Sequence, residues 1–303
     1  MKIGFSLPQF GGQARQATEI ARYARTAEEL GADSLWVFDR LLAPVHPEVG
    51  YGGGDTPFPE EYHSILDPFV VLGVAASATE RALIGSNILV APMYSPALLA
   101  RSLLTIDRVS GGRLVAGLGL GWSPDEFAAA GVPLPERGRR FDEVLDVLEQ
   151  LWTANPAEYH GKHWQLPATY SALKPIKRPP IYLGGGFAPA ALRRIALRAD
   201  GWIPAVLVRG EVDLDSAVNQ PLARIQSLAA EGGRDKGELD VVVRSVPSVR
   251  MEPAEIAALI ERIEKETAAR HVIVDLMSQT GEVDGALEDV RAILSAVRSR
   301  VGA

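Results

Sequence analysis

The sequence predicts a (β/α)8 barrel, because eight apolar, β-branched runs alternate with eight amphipathic segments along its 303 residues. Strict alternation favours a parallel sheet, and joints such as "LRADGWIPA", in which a glycine separates a helix from the next strand, are typical of short αβ connections. An open sheet rarely needs eight consecutive units, whereas a closed barrel needs that number, and a chain somewhat above ~250 residues suits it. We therefore predict a single barrel domain over residues 1–303.

Each predicted strand is a short apolar run that is followed by a segment with helical periodicity. The strands are predicted at 2–7, 34–38, 82–90, 113–119, 180–185, 201–206, 240–246 and 271–276. The helices are predicted near 13–30, 67–79, 95–110, 136–153, 187–199, 213–230, 253–268 and 284–299. Two stretches, 39–65 after the second strand and 155–180 before the fifth, exceed plain connections and are predicted insertions, because long loops in compact domains are usually functional.

The composition, with 47% hydrophobic and 23% charged residues, is that of an ordinary globular protein. Its net charge of -7 disfavours nucleic acid or an anionic membrane as the main partner and favours a small molecule. The absence of cysteine excludes disulfides, thiolate catalysis and cysteine-ligated metals. No apolar stretch is long enough to span a bilayer and the first ten residues lack a signal-peptide core, so we expect a cytoplasmic protein.

Candidate functional residues are those at the carboxyl ends of the predicted strands, where barrels of this kind build their active sites. No lysine lies at such an end, so a Schiff-base aldolase would lack its nucleophile. The stretch "GLGLGW" (117–122) fails the G-x-G-x-x-G spacing of a dinucleotide site, since Trp122 stands in place of the third glycine. Its alternating glycines, Gly119 among them, favour a backbone against which a flat ring could lie; close packing of helix and strand is the alternative.

Three consecutive glycines, Gly184, Gly185 and Gly186, follow the fifth strand in "IYLGGGFAPAAL" and precede a helix. Unobstructed backbone N–H groups at the positive end of a helix make a ready anion site. A tight turn is the alternative, but one or two glycines would suffice for it. The sequence therefore favours a phosphate-binding loop here.

The motifs together carry a family resemblance. The blocks "ADSLWVFD", "IGSNILVAPMYSPALLARSLLTIDRVSGGRLVAGLGLGW", "RGRRFDEVLDVLEQLWT" and "PPIYLGGG" with "RADGWIP" resemble the bacterial-luciferase-like family, specifically its single-component deazaflavin-dependent oxidoreductases. The resemblance runs from about residue 2 to residue 206 and is weak beyond. It implies a (β/α)8 barrel, usually homodimeric, with a flavin or the deazaflavin coenzyme F-420 across the strand ends and the cofactor phosphate on the glycine run.

The resemblance also implies roles for individual residues. Asp39, at the end of the second strand, matches the carboxylate that contacts the deazaflavin edge. Arg40 stands where members often have histidine, and an arginine stays protonated, so it can only donate hydrogen bonds or bind anions. Asn87 and Ile88 match the position of a non-prolyl cis peptide behind the cofactor ring.

Further residues are assigned to the cofactor from the loops after the fourth and fifth strands. Trp122, Asp125 and Glu126 match the loop that flanks the ring and tail, and Phe187 follows the glycine run. Asp125 and Glu126 have an alternative role as acidic residues that the helix dipole favours at a helix start.

Hydride transfer needs a proton donor or acceptor, for which Asp39, His63 and Glu126 are the catalytic candidates. His63 could instead be a solvated loop histidine, and Asp39 could form only a surface ion pair with a neighbour such as Arg40. Tyr51 and Arg244, together with Arg40, are the candidates for substrate binding. No metal site is predicted: His160 and His163 in "YHGKHW" have no third ligand nearby, and a surface hairpin is expected there.

Three functions stay open at the level of the sequence. The favoured one is a coenzyme F-420-dependent oxidoreductase that acts on a small organic substrate. The alternatives are an FMN-dependent monooxygenase supplied with reduced flavin by a partner reductase, and a non-catalytic flavin-binding barrel.

Overall fold

The predicted parallel strands close into a barrel in the computed structural model, which describes residues 1–235, 237–247 and 249–301. In chain order the strands are β1 (Lys2–Ser6), β2 (Ser34–Val37), β3 (Leu83–Ser86), β4 (Leu89–Val90), β5 (Leu114–Gly119), β6 (Ala157–His160), β7 (Gln165–Thr169), β8 (Ile181–Gly184), β9 (Gly201–Ile203), β10 (Ala205–Val208), β11 (Asp240–Pro247) and β12 (His271–Val274). The barrel order is β1-β2-β3-β5-β8-β9-β11-β12, and the pairing of β12 with β1 closes it. All of these pairings are parallel, so every barrel strand has its carboxyl end at the same rim.

Helices follow the barrel strands, as the alternation predicts. They are α1 (Gly11–Ala14), α2 (Ile20–Leu30), α3 (Pro68–Ala78), α4 (Pro96–Val109), α5 (Pro124–Ala129), α6 (Arg137–Thr153), α7 (Pro189–Arg198), α8 (Gln220–Glu231), α9 (Pro253–Glu266) and α10 (Val283–Val301). The helix predicted over 13–30 is divided into α1, a 3-10 turn at Ala17–Glu19 and α2. The short helix α5 lies within the loop that follows β5; it is not among the eight predicted helices, but it agrees with the alternative role of Asp125 and Glu126 at a helix start.

Two predicted strands are interrupted at the rim. The run 82–90 forms β3 and β4 on either side of Asn87–Ile88, whose peptide bond is cis as predicted. The run 201–206 divides at Pro204, which has no N–H to donate to a neighbouring strand. Below this break β9 pairs with β11, and above it β10 does.

The barrel encloses its own small core, separate from the large one between strands and helices. Six buried side chains from different strands form it: Trp36, Val115, Tyr182, Ile203, Val242 and Ile273. His271 closes the opposite end, where its Nε2 lies 2.6 Å from Ser34 Oγ. Burial lowers the pKa of His271 to about 4, so the ring is neutral and its role is structural.

Both predicted insertions are present, in different forms. Residues 155–180 contain an antiparallel hairpin of β6 and β7, which the Glu143 carboxylate fastens to α6 by accepting hydrogen bonds from the N–H groups of residues 162–164. Residues 39–65 form a loop with one 3-10 turn at Glu60–His63, and this loop lies over the rim of the barrel.

Gly117 should be among the positions that tolerate least change. A Cβ there would overlap the Ser86 carbonyl oxygen, because β3 and β5 approach each other closely at this point. We expect Gly117→Ala to lower the free energy of unfolding by about 3 kcal/mol, through overpacking that backbone atoms cannot relieve. Chemical denaturation monitored by circular dichroism measures this change.

Gly73 provides the matched control within α3. Nothing lies within 4 Å of a Cβ placed there, so Gly73→Ala should raise the free energy of unfolding by about 0.5–1 kcal/mol through helix propensity. Equal stability of the two variants would contradict the close approach of β3 and β5.

Candidate active site

A pocket of about 680 Å³, here called the strand-end pocket, opens at the rim formed by the carboxyl ends of the barrel strands. Its volume is within the range of small-molecule sites. Its lining consists of Phe38, Asp39, Arg40, Tyr51, Gly52, Tyr62, Asn87, Ile88, Val90, Leu120, Gly121, Trp122, Glu126, Phe141, residues 183–188, Ala191, Arg194, Ile195, Ile203, Pro204, Ala205, Leu207 and Arg244.

Asp39 is a buried carboxylate at the end of β2. Its Oδ2 accepts hydrogen bonds from the Val90 N–H and the Tyr94 hydroxyl, both at 2.8 Å. Among the described residues none donates a hydrogen bond to Oδ1. Burial raises the pKa of Asp39 to about 6, against the opposite effect of these two hydrogen bonds. The sequence-based alternative of a surface ion pair with Arg40 is therefore wrong, since Asp39 is only 6% exposed and Arg40 pairs elsewhere.

Arg40 pairs with Glu126 across the mouth of the pocket. Arg40 Nη2 lies 3.0 Å from Glu126 Oε2, and both side chains are buried. The other carboxylate oxygen of Glu126 accepts a hydrogen bond from the Leu41 N–H at 2.7 Å. Burial raises the pKa of Glu126 while Arg40 opposes that change. Because both of its oxygens are engaged, Glu126 fastens the loop after β2 to the start of α5.

Six aromatic rings pack against one another beside the Arg40 guanidinium. They form the aromatic cluster of Phe10, Phe38, Tyr51, Phe58, Tyr62 and Trp122. The Arg40 Cζ atom lies 4.9 Å from the ring centre of Trp122 and 5.1 Å from that of Phe58, which are cation–π distances. The rings hold the guanidinium in one place and exclude water from this side of the pocket.

Arg244 lies at the end of β11, against the same aromatic cluster. Its Nη2 donates a hydrogen bond to Asp275 Oδ2 at 2.9 Å, and its Nη1 donates one to the backbone carbonyl of Asn87 at 3.2 Å. The guanidinium also lies 4.0 Å from the ring centre of Phe38. Arg244 thus joins β11, β12 and the break between β3 and β4.

Asn87 carries an amide that is buried and unpaired. The residue is 1% exposed, and neither Oδ1 nor Nδ2 has a hydrogen-bond partner among the described residues. Burying an amide without hydrogen-bond partners destabilises a folded protein. Such amides are therefore rare unless a ligand or another group supplies the missing hydrogen bonds. The neighbouring Ile88 side chain fills the space that side chains would take at Gly119 and Gly184.

The glycine run lies between β8 and α7 with its backbone open to the pocket. None of the three glycines has a positive φ, so a left-handed turn does not explain them. Gly184 is required by its contact with Ile88, whereas a Cβ at Gly186 would have nothing within 4 Å. Helix α7 begins at Pro189 and no side chain caps it. The backbone of residues 184–188 lines this end of the pocket just before the helix, where the helix dipole would stabilise an anion.

Comparison with known proteins decides the family. The sequence model of the luciferase-like monooxygenase family matches residues 1–297. The chain belongs to the luciferase-like monooxygenase family. The match includes the residues beyond 206, where the motifs alone are weak. Members of this family are enzymes, which confirms the prediction of an enzyme, and the barrel is the fold they share.

The sequence relatives include an uncharacterized protein and an enzyme with a cofactor in its name. An uncharacterized protein of Mycobacterium tuberculosis is 32% identical over 218 residues, which are 71% of this chain and 75% of that protein. An F-420-dependent glucose-6-phosphate dehydrogenase of Amycolatopsis mediterranei is 29% identical over 209 residues, which are 67% of this chain and 57% of that protein.

Solved structures of the same fold cover nearly the whole chain. The monooxygenase RslO1 from Streptomyces bottropensis matches with a TM-score of 0.78 and 20% identity, over 99% of this chain and 100% of that one. An F-420-dependent secondary alcohol dehydrogenase in complex with an F-420–acetone adduct matches with a TM-score of 0.73 and 18% identity, over 98% and 99%. At these identities the likeness shows the fold.

Three of the predicted site residues lie outside the strand-end pocket. His63 is exposed on the outer side of the long loop and lines a separate surface hollow. Asp125 accepts a hydrogen bond from the Glu48 N–H on the surface, consistent with its alternative role at a helix start. Gly119 lies behind the Ile88 side chain, so its missing side chain makes room for protein and not for a ligand. The remaining predicted residues line the pocket, including Trp122, Phe187 and Tyr51.

Other residues of the site were missed at the level of the sequence. Tyr94, which donates to Asp39, follows a 3-10 turn after β4, and Tyr62 lies in the long loop. Asp275, the partner of Arg244, lies just after β12; it was among the strand-end positions but was assigned no role, and that position was the available signal. For Tyr62 no motif marked this loop residue as part of the pocket lining.

Other classes of site receive no support from the described part of the chain. Residues 1–235, 237–247 and 249–301 contain no cluster of metal-binding side chains, and His160 pairs with Glu158 on the hairpin. Within the same residues no helix has the length and apolar character needed to cross a membrane. The homodimer implied by the resemblance stays a prediction.

The buried charge of Asp39 should cost the protein stability near neutral pH. Its folded pKa of about 6 lies above the unfolded value near 3.9, so folding takes up a proton between those values. The free energy of unfolding then falls by up to about 3 kcal/mol as pH rises from 4 to above 6. Asp39→Asn cannot titrate, and a single amide oxygen can keep both hydrogen bonds because both go to Oδ2.

We therefore expect the melting temperature of Asp39→Asn, measured relative to the wild type, to be higher at pH 7.5 than at pH 4.5. Differential scanning calorimetry at the two pH values measures the difference, in which the other titrating groups cancel. The same offset at both pH values would show that Asp39 does not carry a raised pKa.

Proposed function

We propose that the protein is a coenzyme F-420-dependent oxidoreductase that transfers a hydride between the deazaflavin and a small organic substrate. The observation that carries this proposal is that the strand-end pocket offers unpaired polar groups at two places suited to one elongated cofactor. These places are the open glycine backbone at the start of α7 and the unpartnered amide of Asn87.

The phosphate end of the cofactor is assigned to Gly185, Gly186 and the start of α7. Backbone N–H groups and the helix dipole favour a phosphate there without a side-chain cation. Arg194 also lines this end of the pocket, although Asp142 already pairs with it, with 2.6 Å between Arg194 Nε and Asp142 Oδ1.

The ring end of the cofactor is assigned to Asn87, Ile88 and Asp39. The Ile88 side chain backs the wall of the pocket, and the amide of Asn87 gains partners if a ring with carbonyl and N–H groups lies beside it. Asp39 offers a carboxyl group of raised pKa at the same wall. The residues present therefore fit a flavin-like group.

When bound, the deazaflavin supplies the hydride chemistry. The protein's own part is to orient the reactants, to exclude water and to hold a proton. The aromatic cluster performs the exclusion, and Glu126 keeps the long loop over the rim. Asp39 is the better acid–base group of the three candidates, since Glu126 uses both oxygens internally and His63 lies outside the pocket.

Support for the deazaflavin comes from the sequence relatives, among which F-420-dependent glucose-6-phosphate dehydrogenases occur. The rival function, an FMN-dependent monooxygenase, would use the same glycine run for its phosphate. The two cofactors differ beyond the phosphate, where the deazaflavin continues into an acidic tail.

Parallel titration of the purified protein with coenzyme F-420 and with FMN tests the proposed function. We expect saturable quenching of deazaflavin fluorescence, with FMN bound at least about tenfold more weakly, a difference of about 1.4 kcal/mol. Binding of FMN alone would replace the proposal by the monooxygenase function. Binding of neither cofactor would reject both.

The phosphate assignment is tested by Gly185→Val and Gly186→Val. A Cβ at either position meets no atom closer than 3.7 Å, so both variants should fold normally. Their side chains would occupy the place assigned to the phosphate, and we expect at least about a tenfold loss of cofactor affinity, or about 1.4 kcal/mol.

Gly54→Val is the matched control for these variants. It introduces the same side chain at another open glycine, one that lies outside the strand-end pocket. It should bind the cofactor as the wild type does. Wild-type affinity in folded Gly185→Val and Gly186→Val would refute the phosphate site.

A further inference from the structure

The arginines of the strand-end pocket are already neutralised by carboxylates of the chain itself. Arg40 pairs with Glu126 at 3.0 Å, and Arg244 pairs with Asp275 at 2.9 Å. In both pairs the carboxylate is almost fully buried, with 3% of the side chain exposed. Solvent therefore screens these pairs little, and neither guanidinium presents a free positive charge to a ligand.

The remaining charge balance of the inner pocket is negative. Asp39 has no cationic partner within ion-pair distance among the described residues, and it bears a negative charge whenever it is ionised. No lysine lines the pocket within the described ranges. An anionic group that entered beside Arg40 and Arg244 would lose its water without gaining a free counterion, which is costly.

The same wall is suited to an uncharged molecule. The aromatic cluster gives it an apolar surface, on which both guanidinium groups lie. Arg40 Nε and Arg244 Nε are buried and donate no hydrogen bond to a described residue. An uncharged oxygen can accept from such a donor without bringing a charge into the pocket.

We propose that Glu126 and Asp275 are specificity-determining residues, which make the wall of the strand-end pocket beside Arg40 and Arg244 select an uncharged substrate with an apolar body and a neutral oxygen acceptor, and reject substrates that carry a carboxylate or a phosphate. This inference rests on the proposed function insofar as the ligand of this wall is a substrate. Asp275 would act by neutralising the charge of Arg244, without contacting the substrate.

Three matched pairs of ligands test the selectivity. Each pair consists of a neutral compound and its carboxylate analogue: acetophenone and 4-acetylbenzoate, cyclohexanone and 4-oxocyclohexanecarboxylate, and benzyl alcohol and 4-(hydroxymethyl)benzoate. Saturation-transfer NMR titrations measure binding to the protein alone and to the protein saturated with its cofactor. We expect the neutral member of at least one pair to bind about tenfold or more tightly than its carboxylate.

Asp275→Asn tests the cause. Loss of the counterion frees the charge of Arg244, so the carboxylate member should bind about tenfold more tightly than to the wild type, with the neutral member unchanged. Asp289→Asn is the matched control, because it breaks a similar pair with Arg250 outside the pocket. It should leave both affinities as they are. Glu126→Gln, which keeps an acceptor for the Leu41 N–H, repeats the test at Arg40 if Asp275→Asn does not fold.

Three outcomes would overturn the inference: equal or tighter binding of the carboxylates to the wild type, no saturable binding by any neutral member, or an unchanged carboxylate affinity in the folded variants. These outcomes are separate from the fate of the proposed function. Binding of the ligand pairs is also measured without cofactor. The charge selectivity of the pocket is therefore determined even if neither cofactor binds.

Discussion

The close approach of β3, β5 and β8 at the rim is the constraint on which the site depends. Side chains on a strand normally keep residues of the neighbouring strands at van der Waals distance. The glycines at positions 117, 119 and 184 have no side chain, so neighbouring residues can approach their backbone more closely. Ser86 can then approach Gly117, with its hydroxyl donating to the Gly117 carbonyl at 2.7 Å. The Ile88 side chain enters the space in front of Gly119 and Gly184. The position of the Asn87 amide follows from this packing, so the glycines act on the site through protein contacts.

Charge pairing organises the opposite side of the pocket. The long loop after β2 has little regular structure, and it is held by contacts at its beginning, where Glu126 binds both Arg40 and the Leu41 N–H. The same carboxylate lies in the first turn of α5, where the helix dipole favours it. Glu126 therefore has both roles that the sequence suggested: it is an acidic residue at a helix start, and it lines the pocket. A loop held in this way can bring Tyr51 and Tyr62 to the pocket, where their hydroxyl groups are 2.9 Å apart.

The sequence predicts the barrel well because its evidence is local and repeated. Each βα unit buries its strand on both faces, which leaves an apolar run and a glycine joint that can be recognised one unit at a time. Residues at strand ends, such as Asp39 and Arg244, are predicted with the same ease, since the fold brings all carboxyl ends to one rim. His63 lies outside the strand-end pocket, and its position was harder to predict, because a loop residue carries no such periodic signal and its direction depends on contacts far away in the chain. At Gly119 the space is filled by the Ile88 side chain, which the sequence does not reveal, because a glycine pattern is the same whether a ligand or an isoleucine side chain fills the space.

Asp39 shows how stability and function oppose each other in this pocket. A carboxylate that is 6% exposed and has no cationic partner within ion-pair distance among the described residues destabilises the folded chain when it ionises. An asparagine would satisfy Val90 and Tyr94 equally, because both hydrogen bonds go to one oxygen. Packing and hydrogen bonding therefore do not account for an acid at this position. What distinguishes aspartate from asparagine is the ability to take up and release a proton, and its pKa of about 6 keeps that ability close to neutral pH. The cost of burying the charge thus supports the proposed acid–base role of Asp39 in the pocket that Asn87 also lines.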